Sequence, residues 1–295
     1  MSLLSTFEAV PRRLEILFSM VAEKGTNGYE KDKLRRVVTA PEAGKKDGNK
    51  SKLYPSALKE ALALGVLEES DEHYVVPGVT VRGWAPERSR VEFRHVIETL
   101  LLPTDPLSEA SEKASPFPLA ISWLLLQKPW APLEWGKEPL ARLRQQIQDE
   151  SIVAGLNLNT YSAWQNLVYW GRFLGLCSML TMRKSERTVI PDPTKAIRRH
   201  IAGVLPSEEP IAIRGFLDAL KVALPVLDGG PYQAQLLDTW NGAPYDDETI
   251  SGALSLAMLR LQASGLVNLE MKSDADVWLL DAPNKSKRIS HITRL

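Results

Sequence analysis

The chain has 295 residues and balances 36 Lys and Arg against 36 Asp and Glu, so its formal net charge is zero and no global field draws it onto nucleic acid. Its single cysteine, Cys177, excludes an internal disulfide and a cysteine-based zinc cage, and no apolar run approaches the ~20 residues that span a bilayer. Residues 1–5 also lack the basic start and long apolar core of a signal peptide, so we expect a cytoplasmic protein without membrane contact.

The first 84 residues predict three helices followed by a β-hairpin. Apolar spacing indicates helices at 11–24, 30–40 and 53–64. Gly65 ends the third helix, because glycine readily adopts the left-handed conformation that stops a helix. A short strand, a polar turn and a second strand at 73–77 follow. This order is that of a winged helix, so we assign residues 1–84 to a first winged-helix domain.

Residues 85–116 are predicted to connect this domain to the next one. A helix is expected at 84–102, and a linker rich in Ser, Ala and Pro at 105–116. Together with 41–52, this linker is the most disordered-looking part of the chain.

The same pattern recurs over residues 117–192, which we assign to a second winged-helix domain. Its helices are expected at 118–127, 139–148 and 160–174. Asn159 or Thr160 is a suitable N-cap for the last helix, and Gly175 ends it. The second strand of its hairpin is expected at 188–191.

Residues 193–295 predict a helical connector at 194–204, then a third winged-helix domain and a basic C-terminal tail. Only the last helix, at 246–264, is clear, with Asp246 or Asp247 as its cap. The earlier helices of this domain are expected within 211–240.

Gly265 ends that last helix and completes the third copy of the pattern. The hairpin strands behind it are expected at 267–269 and 277–280. The predicted fold is therefore mainly α with small β-hairpins, built from three tandem winged-helix (helix-turn-helix) domains.

The first domain contains the most basic segment of the chain. Between Lys31 and Lys59, nine basic residues stand against three acidic ones, a local balance of 9 − 3 = +6. In helix-turn-helix modules the recognition helix enters the major groove, and lysines and arginines near it neutralise phosphates. The candidate DNA-binding residues are Lys31, Arg35, Arg36, Lys45, Lys46, Lys50, Lys52, Tyr54 and Lys59. The alternative is that this segment is a solubilising loop in a module that binds protein.

Within that set, two kinds of contact are expected. The four lysines Lys45, Lys46, Lys50 and Lys52 precede the third helix and would approach phosphates. Tyr54, Ser56 and Lys59 are on the third helix and would face the groove, where Tyr54 and Lys59 would meet base edges.

A secondary basic patch is expected around the second hairpin and the following helix. Its members are Arg183, Lys184, Arg187, Lys195, Arg198 and Arg199. Lys195 and Arg199 share a helix face at i, i+4. The alternative interpretation for both segments is a solvated surface.

The third helix of the second domain carries polar and aromatic residues that could stack on bases. However, Trp164, Leu167 and Val168 with Gly171 form a helical apolar stripe. We therefore interpret this helix as core or protein interface.

Local motifs of catalysis are missing from the sequence. His73, His95, His200 and His291 are far apart and form no HxH or HxxxH pair, and no Walker or GxSxG motif is present. Cys177 is interpreted as a buried core residue. We expect a protein that is not an enzyme and has no metal and no cofactor, although scattered carboxylates could assemble a nuclease site without a local signature.

The chain resembles DpdG-like proteins in its length, its threefold layout and two segments, 191–198 (PDPTKAIR) and 225–232 (PVLDGGPY). Those proteins are accessory components encoded with bacterial systems that place deazaguanine bases in DNA and restrict foreign DNA. The resemblance implies a non-catalytic component of a phage-defence or DNA-modification complex. It carries over no catalytic residue.

Three hypotheses of function follow. In the first, the protein is a DNA-binding accessory subunit with protein partners in a multi-subunit complex and double-stranded DNA as a further partner. In the second it is an adaptor or scaffold without direct DNA contact, as the zero net charge favours. The third is a transcriptional regulator.

Overall fold

Half of the chain is helical, and its short strands form four three-stranded sheets in the part of the computed structural model that can be described. The structure describes residues 3–4, 6, 8–38, 53–77, 86–181, 186–242, 244–246, 248–283 and 286–295. The predicted segment 41–52 lies outside these residues.

The three predicted helix-ending glycines share one geometry. Gly65, Gly175 and Gly265 have φ of 77°, 74° and 69°. In each, the glycine N–H donates to the carbonyl three residues earlier, and the next N–H donates to the carbonyl five residues earlier. This pair of hydrogen bonds is the Schellman motif, which satisfies carbonyls that a helix end leaves open. The prediction that these glycines end helices is confirmed.

The first unit follows the predicted order. Its elements are α1 (Pro11–Ala22), β1 (Tyr29–Glu30), α2 (Lys31–Val38), α3 (Leu53–Ala63), β2 (Glu68–Ser70) and β3 (His73–Val75). The strands pair antiparallel in the order β1-β3-β2.

Two helices connect this unit to the second one. They are α4 (Pro86–Leu101) and α5 (Glu109–Ala114). The prediction of a disordered-looking linker at 105–116 is wrong, because α5 lies within it. Ser108 caps α5 by accepting a hydrogen bond from the Ser111 N–H, and the buried Ser111 hydroxyl lies 3.1 Å from the Tyr232 hydroxyl. Capping and a distant partner thus stabilise a segment whose composition favours a loop.

The second unit has one more short helix than predicted. Its elements are α6 (Phe117–Leu125), β4 (Leu133–Glu134), α7 (Leu140–Gln146), α8 (Glu150–Gly155), α9 (Tyr161–Leu174), β5 (Cys177–Thr181) and β6 (Arg187–Pro191). Thr160 caps α9, as predicted, with its hydroxyl 3.2 Å from the Ala163 N–H. The strand order is β4-β6-β5.

The third unit has an inserted hairpin. Its elements are α10 (Thr194–Val204), β7 (Ile211–Ala212), α11 (Ile213–Ala223), α12 (Pro231–Leu237), β8 (Thr249–Ile250), α13 (Gly252–Ala263), β9 (Val267–Glu270), β10 (Trp278–Leu280), β11 (Lys287–Ile289) and β12 (His291–Arg294). One sheet has the order β7-β12-β9 and the other β11-β10-β8.

Three predictions for this unit are wrong. β9 pairs with β12 and not with β10, which pairs with β11 and with β8. Residues 287–294 are therefore strands and not a basic tail. The last helix begins at Gly252 with Ser251 as its cap, because Thr249 and Ile250 are used in a strand. These pairings are long-range and leave no local signal.

The same strand order occurs in all three units. In each, the short strand after the first helix pairs with the last strand, and that last strand pairs with the strand behind the glycine. In the third unit α10 holds the position of the first helix.

Helix α9 lies at the centre of the molecule. Trp164, Leu167, Val168 and Trp170 on it are fully buried, which confirms the predicted core stripe. Its side chains also hold the start of the chain, since the Trp170 indole N–H donates to the Ala9 carbonyl at 2.8 Å. The first and second units therefore share one core.

Candidate nucleic-acid interface

A groove lined mainly by arginines lies where α4, α9, α10 and α13 meet. It encloses about 640 Å³, and Phe173, Gly175 and Thr194 are among its walls. Its seven cations are Arg90, Arg94, Arg172, Lys195, Arg198, Arg199 and Arg260, and its acid is Asp192. We call these residues the arginine groove.

The end of α9 shapes this groove through Gly175. A side chain there would place its Cβ 2.8 Å from the Lys195 Cβ and 3.1 Å from the Ala196 nitrogen. The Ala196 N–H donates to the Gly175 carbonyl at 3.2 Å. The glycine therefore lets α10 begin directly against the end of α9, which brings the cations of both helices together.

Arg94 of α4 brings to the groove a buried donor that is unpaired within the described part of the chain. Its guanidinium lies 5.2 Å from the centre of the Phe173 ring, and its buried Nε has no hydrogen-bond partner among the described residues. Burial, and then repulsion by Arg199 and Arg90, lower the pKa of Arg94. A buried donor without an acceptor is unfavourable, so this position favours an anion.

Other cations of the groove are held by the protein itself. Arg199 donates to Glu98 at 2.7 Å and to the Leu174 carbonyl at 2.6 Å. Arg260 is paired with Asp192. Arg198 donates to the Ser264 hydroxyl at 3.1 Å. These bonds hold the guanidinium groups at the walls of the groove. Only Glu98 and Asp192 among the partners carry a negative charge.

Glu98 binds both Arg199 and His200. Burial alone would raise the pKa of this carboxyl, but the hydrogen bonds from His200 and Arg199 outweigh burial and hold its pKa below the ordinary value. Glu98 is therefore a charged carboxylate behind the groove that holds Arg199 and His200 in place.

Two cations project into the groove without a described partner. The structure describes no hydrogen bond or ion pair for the exposed side chains of Arg172 and Lys195. Counting the seven cations against Asp192 and the neighbouring Glu98 and Glu15 leaves 7 − 3 = +4. This local excess stands out in a chain of zero net charge.

A second cleft of about 650 Å³ continues the groove. The two share Arg90, Arg172, Phe173 and Lys195. The cleft adds Arg12 and Arg13 from α1 and the ring of Tyr169 from α9. The two cavities thus form a continuous basic channel along the exposed side of α9.

Three members of the predicted secondary patch meet in the groove, namely Lys195, Arg198 and Arg199. Arg187 lies apart, beside Glu134 and Trp135, and Arg183 and Lys184 lie outside the described residues. Sequence reasoning missed Arg90, Arg94, Arg172 and Arg260. The i, i+4 spacing of Arg90 and Arg94 was an available signal, but only tertiary structure brings four helices together.

In the first unit, the described cations of α2 have partners. Lys31 pairs with Glu69 at 2.8 Å, Arg35 donates to the Tyr74 hydroxyl at 3.2 Å, and Arg36 donates to the Asp32 carbonyl at 3.3 Å. Lys45, Lys46, Lys50 and Lys52 lie outside the described residues. On α3, Tyr54 is half-buried and Lys59 is exposed.

The hairpin of the first unit is acidic. It carries Glu68, Glu69, Asp71 and Glu72, so residues 8–38 and 53–77 together contain eight basic and ten acidic side chains. The positive balance predicted for this unit therefore depends on the lysines between 45 and 52. Their role in DNA binding stays a prediction.

The helices that end at Gly175 and Gly265 in the other two units, α9 and α13, are buried over more than half of their residues. Of the residues of α9, eight are buried, and seven of α13 are buried. A recognition helix must expose one face to enter a major groove. The sides of α9 and α13 that stay uncovered supply Arg172 and Arg260 to the concave groove.

Neither a membrane span nor a clustered set of metal ligands occurs in the described part of the chain. None of its helices combines the length and apolar character that crossing a bilayer requires. No three His, Cys, Asp or Glu side chains of the described residues lie close enough to share a metal ion. Cys177 is buried, as predicted, and burial raises the pKa of its thiol to about 12.

A family model described as DpdG-like matches residues 1–275, nearly the whole chain. The family resemblance that the sequence suggested is thus confirmed. No curated protein and no solved structure was found to match the chain.

Proposed function

The chain belongs to the DpdG-like family, which is part of the Dpd DNA-modification and defence system, and from this premise we propose that it is a non-catalytic subunit that binds DNA along the arginine groove. Its protein partners would be other components of the same system.

The observation that supports DNA binding is the uncompensated charge of the groove. Arg172 and Lys195 have no described partner, and the Arg94 Nε is a buried donor without an acceptor. Phosphate oxygens are the acceptors that guanidinium groups bind best, because two parallel hydrogen bonds can form. Cations of this kind supply most of the affinity of proteins for the DNA backbone.

We interpret the three units as winged-helix modules, on the basis of their common order of helices and strands. Helices α9 and α13 then contribute to the core and supply Arg172 and Arg260 to the groove. Binding through the groove would recognise the backbone and not the base sequence, since phosphate contacts position a protein without reading bases.

The non-catalytic assignment rests on the sequence and on the chemistry of the groove. Arginine and lysine side chains at its walls bind and orient an anion, but the groove offers no histidine, cysteine or pair of carboxylates for acid–base or nucleophilic chemistry. An accessory role in holding DNA fits this set of side chains.

An adaptor function is the second candidate, and the covered helices favour it. Two of the three modules already use the helix before the glycine, α9 or α13, for contacts within the protein. On this hypothesis the remaining surfaces bind protein partners and the groove binds acidic segments of them.

A titration of the full chain with DNA tests the proposal. The double variant Arg172→Gln/Lys195→Gln should bind at least tenfold more weakly than wild type. Lys113→Gln/Arg144→Gln removes the same charge at exposed positions outside the groove and should bind like wild type. Equal binding of all three proteins would refute the proposal that DNA binds along the groove. Capture of protein partners without any DNA binding would favour the adaptor function.

A further inference from the structure

Helix α9 carries a row of aromatic side chains on its exposed side. Tyr161, Tyr169 and Phe173 are spaced by eight and four residues and so share one helix face. Tyr161 is 42% exposed, and the other two are half-buried. Trp135 braces the row, with its ring centre 6.4 Å from that of Tyr161 and 5.4 Å from that of Tyr169.

This row runs into the basic channel. Tyr169 and Phe173 both line the cleft, and Phe173 lines the arginine groove as well. Arg172, between them in sequence, is exposed at the junction of the two cavities. The Tyr169 ring and the uncompensated cations Arg172 and Lys195 therefore line one concave path.

The same path is unsuited to a duplex. The cations and rings line concave cavities, so no described helix projects from the channel in a way that could enter a major groove. In a duplex the base faces are stacked and cannot reach aromatic side chains in a cleft. In a single strand the bases are free to stack, and the flexible backbone can follow a concave channel.

We propose that the nucleic acid held by the channel is a single strand, with phosphates at Arg94, Arg172 and Lys195 and a base stacked on Tyr169. This inference rests on the proposed function and specifies its ligand. A single strand arises wherever a partner enzyme separates or trims a duplex, so the class of reaction that supplies it is strand separation or resection.

The test compares three probes on the full chain: a single-stranded oligodeoxynucleotide of about 16 nucleotides, a duplex of the same sequence and the corresponding single-stranded RNA. The single-stranded DNA should bind at least tenfold more tightly than the duplex. RNA binding as tight as that of DNA, with the same response to the variants below, would support the site. It would also show that the site accepts single-stranded RNA as well as single-stranded DNA.

Variants of Tyr169 separate stacking from charge. Tyr169→Leu should weaken single-strand binding roughly tenfold, in the range known for removal of one stacking partner, and leave duplex binding unchanged. Tyr169→Phe keeps the ring and should bind like wild type. Trp130→Leu removes an exposed aromatic outside the channel and serves as the control, with thermal unfolding checking that each variant is folded.

The experiment separates failure of this inference from failure of the proposed function. Duplex binding as tight as single-strand binding, with no weakening in folded Tyr169→Leu, would overturn the inference and leave the proposed function intact. Binding of neither DNA probe would overturn both.

Discussion

The side-chain amide of Asn166 on α9 donates a hydrogen bond to the carbonyl oxygen of Thr6, 160 residues earlier, at 2.8 Å. The same nitrogen lies 3.2 Å and 3.3 Å from the carbonyl oxygens of Leu3 and Leu4. Asn166 is fully buried, so a single side chain of the second unit satisfies several carbonyls at the start of the first. The channel depends on this junction, because Arg12 and Arg13 of α1 reach it only if the start of the chain is held on α9.

Replacing Asn166 by Ala should destabilise the protein by about 1–3 kcal/mol, because buried carbonyls would be left without their donor. Denaturant unfolding measures this decrease in stability. Gln165→Ala on the same helix, which is half-buried, is the matched control and should change stability by less. A variant Asn166→Ala as stable as wild type would show that contacts other than the Asn166 hydrogen bonds hold the start of the chain.

The three helix-ending glycines should respond differently to alanine. Gly65→Ala and Gly265→Ala place a side chain at positive φ but meet no atom within 4 Å, so each should cost about 1 kcal/mol. Gly175→Ala has the same strain and also forces the Lys195 Cβ and the Ala196 nitrogen away. It should therefore cost clearly more and weaken DNA binding as well. Equal destabilisation at all three sites in unfolding experiments would contradict the close approach of α9 and α10.

How much of this architecture the sequence predicts depends on the range of the interactions. The ends of α3, α9 and α13 and the cap at Thr160 were predicted because glycine geometry and capping act within a few residues. The pairing of β9 with β12 was not predicted, because the inserted hairpin of β10 and β11 separates the two strands in sequence. The helix at Glu109–Ala114 was missed because the Ser, Ala and Pro content favoured a loop; its cap at Ser108 was an available local signal, whereas the contact of Ser111 with Tyr232 is long-range.

The candidate site shows the same division. Lys195, Arg198 and Arg199 were predicted as a basic patch from their local spacing. Their convergence with Arg94 and Arg172 was not predictable, because it requires α4 and α9 to pack beside α10. The count of charge over residues 31–59 also left out the acidic hairpin that follows, which lies next to α2 only after folding.

The lysines at 45, 46, 50 and 52 provide a test of the first unit. Neutralising all four should weaken duplex binding on every sequence alike and flatten the salt dependence by up to about 0.9 for each phosphate that is no longer neutralised. Changing Tyr54 or Lys59 should instead alter sequence preference, if these side chains face base edges. Isotherms of the quadruple variant that match wild type at two salt concentrations would remove this segment from the DNA-binding surface.

Cys177 should report unfolding through its reactivity. Burial raises the pKa of its thiol to about 12 from an ordinary value of 9.0, so at pH 8 only about one thiol in ten thousand is ionised in the folded protein. Alkylation by iodoacetamide should be slow in the native state and fast in denaturant. Because the folded pKa is raised, the thiol's contribution to stability is present below pH 9 and is lost as the pH rises towards 12. Rapid native alkylation at pH 8 would contradict the burial of Cys177, the first residue of β5, against α9.

The salt dependence of DNA binding tests the central claim, that the arginine groove neutralises phosphates, most directly. The affinity of wild type and of Arg172→Gln/Lys195→Gln for one single-stranded oligodeoxynucleotide is measured over a series of salt concentrations. The double variant should show a slope of log affinity against log salt that is flatter by about 0.7 for each phosphate that the variant no longer neutralises. Parallel slopes, with the control Lys113→Gln/Arg144→Gln indistinguishable from both, would contradict the assignment of phosphates to this groove.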